Sequence, residues 1–190
     1  MSRFEDDEIG VRPLPPPHGD DRLSAARRQA ADVIGKFWAA PSTAIGLGYG
    51  LTMHILGELA GKNPRIRVRD NAVQFTGGLN PGGAVTLGNT VTWAGDPYDP
   101  NDTTWHKAPG QWKDGGDPIP HEVNHTYQAQ QLGPLYLPSN ILGGVWGLLH
   151  KPDHPEEDNS LGARWHSHRN WNEVGPMSDP PRPWPTRRGR

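Results

Sequence analysis

Apolar residues recur at helical spacing near the start of the chain. Between residues 21 and 39 they fall on one side of a helix, at Leu23, Ala26, Ala30, Val33, Ile34 and Phe37. Arg27, Arg28 and Lys36 fall on the other side. This pattern predicts an amphipathic helix that packs its apolar side on the core.

A second, nearly continuous apolar stretch follows at residues 42–60. Gly46 and Gly50 form a G-x-x-x-G pattern, which lets two helices approach closely in a lipid bilayer. However, the stretch is short for a membrane span, and it contains His54 and Glu58, which are costly inside a bilayer. We therefore predict a tightly packed helix of a soluble protein. A membrane-acting toxin that uses this helix is the alternative.

The pattern then changes to an alternation of apolar and polar residues. Four short segments share it: residues 66–69, 72–76, 84–87 and 90–93. Turn sequences such as Asp70-Asn71 and Gly88-Asn89 separate these segments. Together with the helices, they predict an α+β fold in which a small antiparallel sheet packs on helices.

Two more helices are expected in the second half of the chain. Pro118 suits the first position of a helix over residues 119–132, and Gly133-Pro134 ends it. Ser139 is the expected N-cap of an apolar helix over residues 140–149, whose glycines allow close packing.

Composition indicates one domain with long loops. The chain has 190 residues, of which 24 are glycine and 21 proline, and only 33% are hydrophobic. A single core surrounded by turns and disordered ends fits these values. We predict a disordered leader at residues 1–21, one domain at 22–176, and a disordered Pro/Arg-rich tail at 177–190. Within the domain, residues 95–116 form a long loop.

Charge and cysteine content exclude several classes of function. The 19 basic and 21 acidic residues nearly cancel, so no strong field favours nucleic acid or an anionic membrane. The absence of cysteine excludes disulfides and thiolate metal ligands. The first residues lack the features of a secretory signal, so a cytoplasmic location is expected by default. Export by a specialised secretion apparatus remains the other expectation.

The motif with most chemical content is H-E-x-x-H, at His121 to His125. On a helix, two histidines four residues apart project from one face, which suits two ligands of a tetrahedral zinc site. Gln128 continues that stripe. Glu122 lies beside the histidines and is the expected general base, because it can take a proton from water that the metal has made acidic.

A catalytic zinc site usually has three protein ligands, so one more must be found. Gln128 and Gln131 occupy the positions where metzincins carry glycine and the third histidine, which excludes that arrangement. We favour Glu173, because its aromatic-rich surroundings should pack, and a carboxylate near a core must be paired or bound to metal. His166 and His168 are rival ligands. Either could instead hydrogen-bond the oxyanion of the reaction, and both are kept as catalytic candidates.

The motif and its flanks resemble a known group of proteins. Residues 121–128 are similar to the H-E-x-x-H-x-x-Q helix of small bacterial zinc metallopeptidase-like domains with a reduced gluzincin fold. Such domains occur with contractile injection systems and in polymorphic toxins. The resemblance extends over residues 66–176 and is sharpest at 121–138. It implies a zincin-like domain with a later glutamate, here Glu173, as third ligand. Met177 departs from the Glu-x-x-x-Asp pattern that gluzincins often carry.

The same resemblance implies where substrate binds. In such folds a peptide pairs with an exposed sheet edge beside the metal. Residues 86–93 are the best candidate for that edge, with Thr86, Leu87, Gly88 and Asn89 as substrate-binding residues. An ordinary strand in the core is the alternative for this segment.

These features predict a zinc-dependent metallohydrolase, and specifically a peptidase that acts on a peptide or protein. Its cofactor would be Zn²⁺, held by His121, His125 and Glu173, with Glu122 as general base. The resemblance adds a secretion-system partner. The alternative is a catalytically idle module that binds metal or docks in a bacterial secretion or toxin system.

Overall fold

A computed structural model describes residues 20–81, 83–99, 101–102, 104, 118–150, 161–165 and 169–173. Within these ranges there are five α-helices: α1 (Asp20–Trp38), α2 (Ala40–Leu59), α3 (Pro118–Leu132), α4 (Tyr136–Leu149) and α5 (Leu161–Trp165). The same ranges contain a sheet of four strands: β1 (Arg65–Arg69), β2 (Ala72–Thr76), β3 (Ala84–Leu87) and β4 (Thr90–Trp93). The four predicted strands and four predicted helices are therefore confirmed to within a few residues.

The sheet is mixed, whereas the sequence predicted an antiparallel one. Its strand order is β1-β2-β4-β3, and β2 pairs with β4 in parallel. The two hairpins are antiparallel as expected. The prediction was wrong because β3 does not pair with β2. The connection after β2 leaves room for one strand, and β3 lies beyond that gap, at the edge of the sheet. β4 then returns into the gap beside β2, running in the same direction.

The two faces of the sheet contact different helices. On one face, Thr90 and Phe75 lie against glycines of α2. On the other face, Val91 and Trp93 pack with Ile119 of α3. Because side chains alternate along a strand, Thr86 of β3 shares the face that looks towards α3. This geometry brings the edge strand next to the H-E-x-x-H helix.

Helix α2 packs on the sheet through its glycines, whereas its apolar residues Ile45, Leu51 and Ile55 are about half exposed. The prediction of a tightly packed helix is therefore confirmed only for the side that carries the glycines. A Cβ atom built on Gly46 would lie 2.5 Å from the carbonyl oxygen of Leu87, and one on Gly50 would overlap the ring of Phe75. The G-x-x-x-G pattern therefore serves contact between a helix and a sheet. No helix in the described part of the chain is long and apolar enough to span a membrane.

Helix α1 is oriented differently from the prediction. Its apolar residues Val33, Ile34 and Phe37 are 59%, 68% and 84% exposed. The opposite side packs instead, where Asp32 accepts a hydrogen bond from Gln130 Nε2 at 3.1 Å and Gly35 lies against the Gln130 side chain. The expectation that the apolar side covers the core is therefore wrong, because a glycine contact and a buried polar contact set the orientation of α1 on α3.

The chain turns sharply after α3, as predicted. A 3-10 turn at Gly133–Leu135 leads directly into α4. Helix α4 begins at Tyr136, before the predicted start, because Pro138 falls in its first turn, where a proline is tolerated. Ser139 is consequently inside the helix and is not its N-cap. The predicted tail and, apart from Asp20 and Asp21, the predicted leader lie outside the described residues.

The packing of α2 gives a direct test. We expect Gly46→Ala to lower the free energy of unfolding by about 1–3 kcal/mol, because the new methyl group meets a backbone carbonyl that cannot move freely. Chemical denaturation measures this change. Gly48→Ala is the matched control, since nothing lies within 4 Å of its Cβ position. The control should stabilise the protein slightly, because alanine favours a helix more than glycine does. Equal effects at both positions would contradict the packing.

Candidate metal centre

Three potential metal ligands meet at one point. The Nε2 atoms of His121 and His125 are 3.2 Å apart. The Oε2 atom of Glu173 lies 3.2 Å from the His121 Nε2 and 3.5 Å from the His125 Nε2. The structure therefore brings together the three residues that the sequence predicted as ligands, and this group could hold a metal ion.

The spacing of these atoms agrees with a tetrahedral site. Zinc binds nitrogen and oxygen at about 2.0–2.2 Å, so ligand atoms at two corners of a tetrahedron are about 3.3–3.6 Å apart. The three observed distances, 3.2, 3.2 and 3.5 Å, are close to that edge length. The donor set, two imidazoles and one carboxylate, is also one that zinc accepts. These residues fit a small divalent cation and leave one corner for a further ligand.

Burial differs across the triad. The side chains of His125 and Glu173 are 8% and 5% exposed, whereas that of His121 is 47% exposed. Burial lowers the pKa of His125, but contact with Glu173 and the negative charges of Glu122 and Glu173 raise it more, to about 9. A cation at this site would therefore have to displace a proton from His125, which is usual for metal-binding histidines.

Gln128 bonds both to His125 and to the segment that carries Glu173. Its Oε1 is 2.8 Å from the His125 Nδ1, and its Nε2 donates to the carbonyl oxygen of Asn172 at 2.6 Å. The Gln128 side chain is fully buried. This residue continues the histidine stripe predicted from helical spacing.

Glu173 is positioned by a short turn, residues 170–173, that two buried asparagines organise. The Glu173 N–H donates to the Asn170 carbonyl at 2.9 Å, and the Asn172 N–H donates to the Asn170 Oδ1. The Asn172 side chain exchanges hydrogen bonds with Ser139, through the Ser139 hydroxyl and the Ser139 carbonyl. The turn is therefore attached to α4 on one side and to α3 on the other.

Two glycines of α4 make room for this attachment. A Cβ atom on Gly143 would overlap the Asn170 side-chain oxygen, and one on Gly144 would overlap the ring of Trp165 in α5. The close packing predicted for these α4 glycines is thus confirmed. Because these α4 positions have no side chain, the backbone of residues 170–173 can reach the face of α3 that carries the histidines.

Glu122 is held by the edge strand of the sheet. The Thr86 hydroxyl donates to the Glu122 Oε2 at 2.6 Å. The backbone carbonyl of Thr86 in turn accepts a hydrogen bond from the buried Tyr136 hydroxyl at 3.1 Å. Burial and the nearby charges of Glu122 and Glu173 raise the pKa of Tyr136, so its hydroxyl stays protonated and can donate. The Thr86 hydroxyl therefore orients one oxygen of the Glu122 carboxylate.

The four predicted substrate-binding residues have different surroundings. Thr86 is buried and bonded to Glu122, while Leu87 turns its side chain towards Gly46 of α2. The backbone of Gly88 lies against Thr43, and the Asn89 N–H donates to the Thr43 hydroxyl. The structure thus gives Gly88 and Asn89 a packing role against Thr43 of α2.

Residues 90–93, the second half of the predicted edge, form the central strand β4, so the edge prediction is wrong for them. Among the strands of the described residues, β3 is the outer one on this side. His166 and His168, the other catalytic candidates, lie outside the described residues.

Sequence reasoning missed several residues that support the site: Thr86 in its bonded role, Tyr136, Ser139, Asn170 and Asn172. Helical spacing on α3 could have suggested that Gln128 contacts His125. The short N-x-N-E pattern at residues 170–173 was a possible signal, because asparagines often bond to nearby backbone in turns. The contact between Ser139 and Asn172 joins distant parts of the chain and had no signal.

Comparisons with known proteins find no match to this chain among family models, curated proteins or solved structures. The function must therefore be inferred from the geometry of the site.

The attachment of the 170–173 turn can be tested at Gly143. If this centre binds Zn²⁺, Gly143→Ala should weaken that binding by about tenfold or more, because the added methyl group displaces Asn170 and with it Glu173. Competition with a chromophoric chelator measures this affinity. Gly48→Ala, which meets no neighbour, should bind Zn²⁺ as the unchanged protein does. Unaltered affinity in a folded Gly143→Ala protein would show that the turn does not depend on this contact.

Proposed function

We propose that this protein is a zinc-dependent metallohydrolase with a zincin-like site, and that it cleaves peptide bonds. The observation that supports this most is the convergence of His121, His125 and Glu173 within bonding reach of one cation. A carboxylate at Glu122 adjoins them in the sequence H-E-x-x-H. A site for metal storage or folding would have no need of that additional, separately held carboxylate.

The roles of the chain's own residues follow from their positions. When bound, zinc supplies Lewis acidity, which polarises a substrate carbonyl and makes water more acidic. Glu122 accepts the proton of the attacking water and later donates it to the leaving amine. Thr86 holds one oxygen of Glu122, so the other oxygen is left to exchange the proton. His121, His125 and Glu173 would hold the cation.

The position of the edge strand supports an extended peptide as substrate. Among the described strands, β3 is the last on its side of the sheet, and Thr86 within it contacts Glu122. The Thr86 carbonyl already accepts a hydrogen bond from Tyr136, so a peptide that added to this edge would form its main-chain hydrogen bonds on the Ala84 side of Thr86. The His121 side chain is 47% exposed, so the centre is accessible to solvent.

The metal content of the purified protein tests the proposal that it binds zinc. We expect one Zn²⁺ per chain by elemental analysis, because the three ligands form one site. His121→Ala and Glu173→Gln should each weaken binding by at least about 100-fold, because a ligand atom is removed or loses its charge. His54→Ala is a control, as His54 lies against Phe75 on the α2 side of the sheet. Unchanged zinc content in both ligand variants would reject the assignment.

Hydrolysis of a protein substrate tests the proposal that the protein is a peptidase. We expect Glu122→Gln to bind Zn²⁺ normally and to hydrolyse an unfolded protein substrate at least about 100-fold more slowly, because the general base is lost. A catalytically idle protein would bind the metal and show no turnover in either form. Equal turnover by the two forms, in preparations free of other peptidases, would reject Glu122 as the base.

A further inference from the structure

Gln128 makes two hydrogen bonds, one to the proposed metal ligand His125 and one to the residue before the proposed ligand Glu173. One end of its amide contacts the His125 ring at 2.8 Å. The other end contacts the Asn172 carbonyl, one residue before Glu173, at 2.6 Å. Both His125 and Asn172 are buried, so the two contacts are shielded from water.

The chemistry of the partners sets the orientation of the amide. A backbone carbonyl can only accept, so the Gln128 atom that faces Asn172 must be the NH₂ group. The atom that faces His125 is then the amide oxygen, which can only accept. The Nδ1 of His125 must therefore carry a hydrogen. Its Nε2, which lies 3.2 Å from the His121 Nε2, is the nitrogen left to bind a cation.

We propose that Gln128 is a positioning residue that couples His125 and Glu173 within one metal site. This inference rests on the proposed zinc centre but not on peptidase activity. Through one amide, Gln128 selects the nitrogen by which His125 binds and holds the turn that delivers Glu173. Because partners of this kind fix ring orientation, their loss typically weakens metal binding by about 10–100-fold.

A matched buried amide two residues further along the helix provides the control. Gln130 is also buried, but it bonds to Asp32 of α1 and to Asn71 in the β1–β2 turn. Gln128→Met and Gln130→Met remove the same amide from the same helix with nearly the same volume. Both should lower the melting temperature, because each leaves buried polar partners unsatisfied.

Zinc affinity, measured by competition with a chromophoric chelator, should separate the two variants. We expect Gln128→Met to raise the dissociation constant for Zn²⁺ about 10–100-fold, and Gln130→Met to change it less than about threefold. An affinity loss as large in Gln130→Met would mean that general destabilisation explains the effect, and would overturn the proposal. An unchanged affinity in Gln128→Met would also overturn it.

A double-mutant cycle tests the coupling itself. If Gln128 acts partly through Glu173, the loss in Gln128→Met should be smaller when Glu173→Gln is already present. Strict additivity would overturn the coupling. Zinc binding by the unchanged protein without any turnover would contradict the peptidase proposal and leave this inference intact. Absence of zinc binding in the unchanged protein would overturn both.

Discussion

A buried carboxylate beside two imidazoles is the interaction on which the arrangement of this protein depends. The Glu173 side chain is 5% exposed and lies within 3.5 Å of both histidines. A carboxylate taken out of water in this way requires a compensating positive charge. Without metal, protonated His125 can supply it, as its pKa of about 9 indicates. A divalent cation would compensate the charge more fully and would release that proton, which is why we interpret the group as a metal centre.

Buried amides hold this charged group in place. Asn170, Asn172 and Gln128 have no exposed surface, and each bonds to backbone or to a ligand ring. Buried amides are costly when unsatisfied, so a turn that satisfies them all has few alternative positions. The glycines of α4 are part of the same constraint, because only a bare backbone lets Asn170 approach so closely. The position of Glu173 is thus set by polar contacts and by the absence of side chains on α4.

Local patterns predicted most elements but not how they pack. Alternation of apolar and polar residues located all four strands, and the H-E-x-x-H spacing located the histidine pair, because both depend only on backbone periodicity. The parallel pairing of β2 with β4 depends on how the loop between β2 and β3 places β3 in the sheet, and no local sequence pattern predicts that placement. Helix α1 shows the same limit: its apolar stripe predicted the wrong buried side, since Gly35 and Asp32 pack on Gln130 instead. For the site, Glu173 was predictable from its chemistry, whereas Thr86, Ser139 and Asn172 depend on tertiary contacts.

The proposed general base and the proposed ligands are held by different hydrogen bonds, although both sets of bonds involve α3 and α4. Glu122 is bonded to Thr86 on the sheet edge, and Thr86 is bonded through its backbone to Tyr136 at the start of α4. The ligand triad instead depends on Gln128 and on the 170–173 turn. A site that only needed to bind a metal would gain nothing from the first set of contacts. Their presence beside the triad favours chemistry over simple metal retention, because a carboxylate positioned next to a cation can exchange protons with water there.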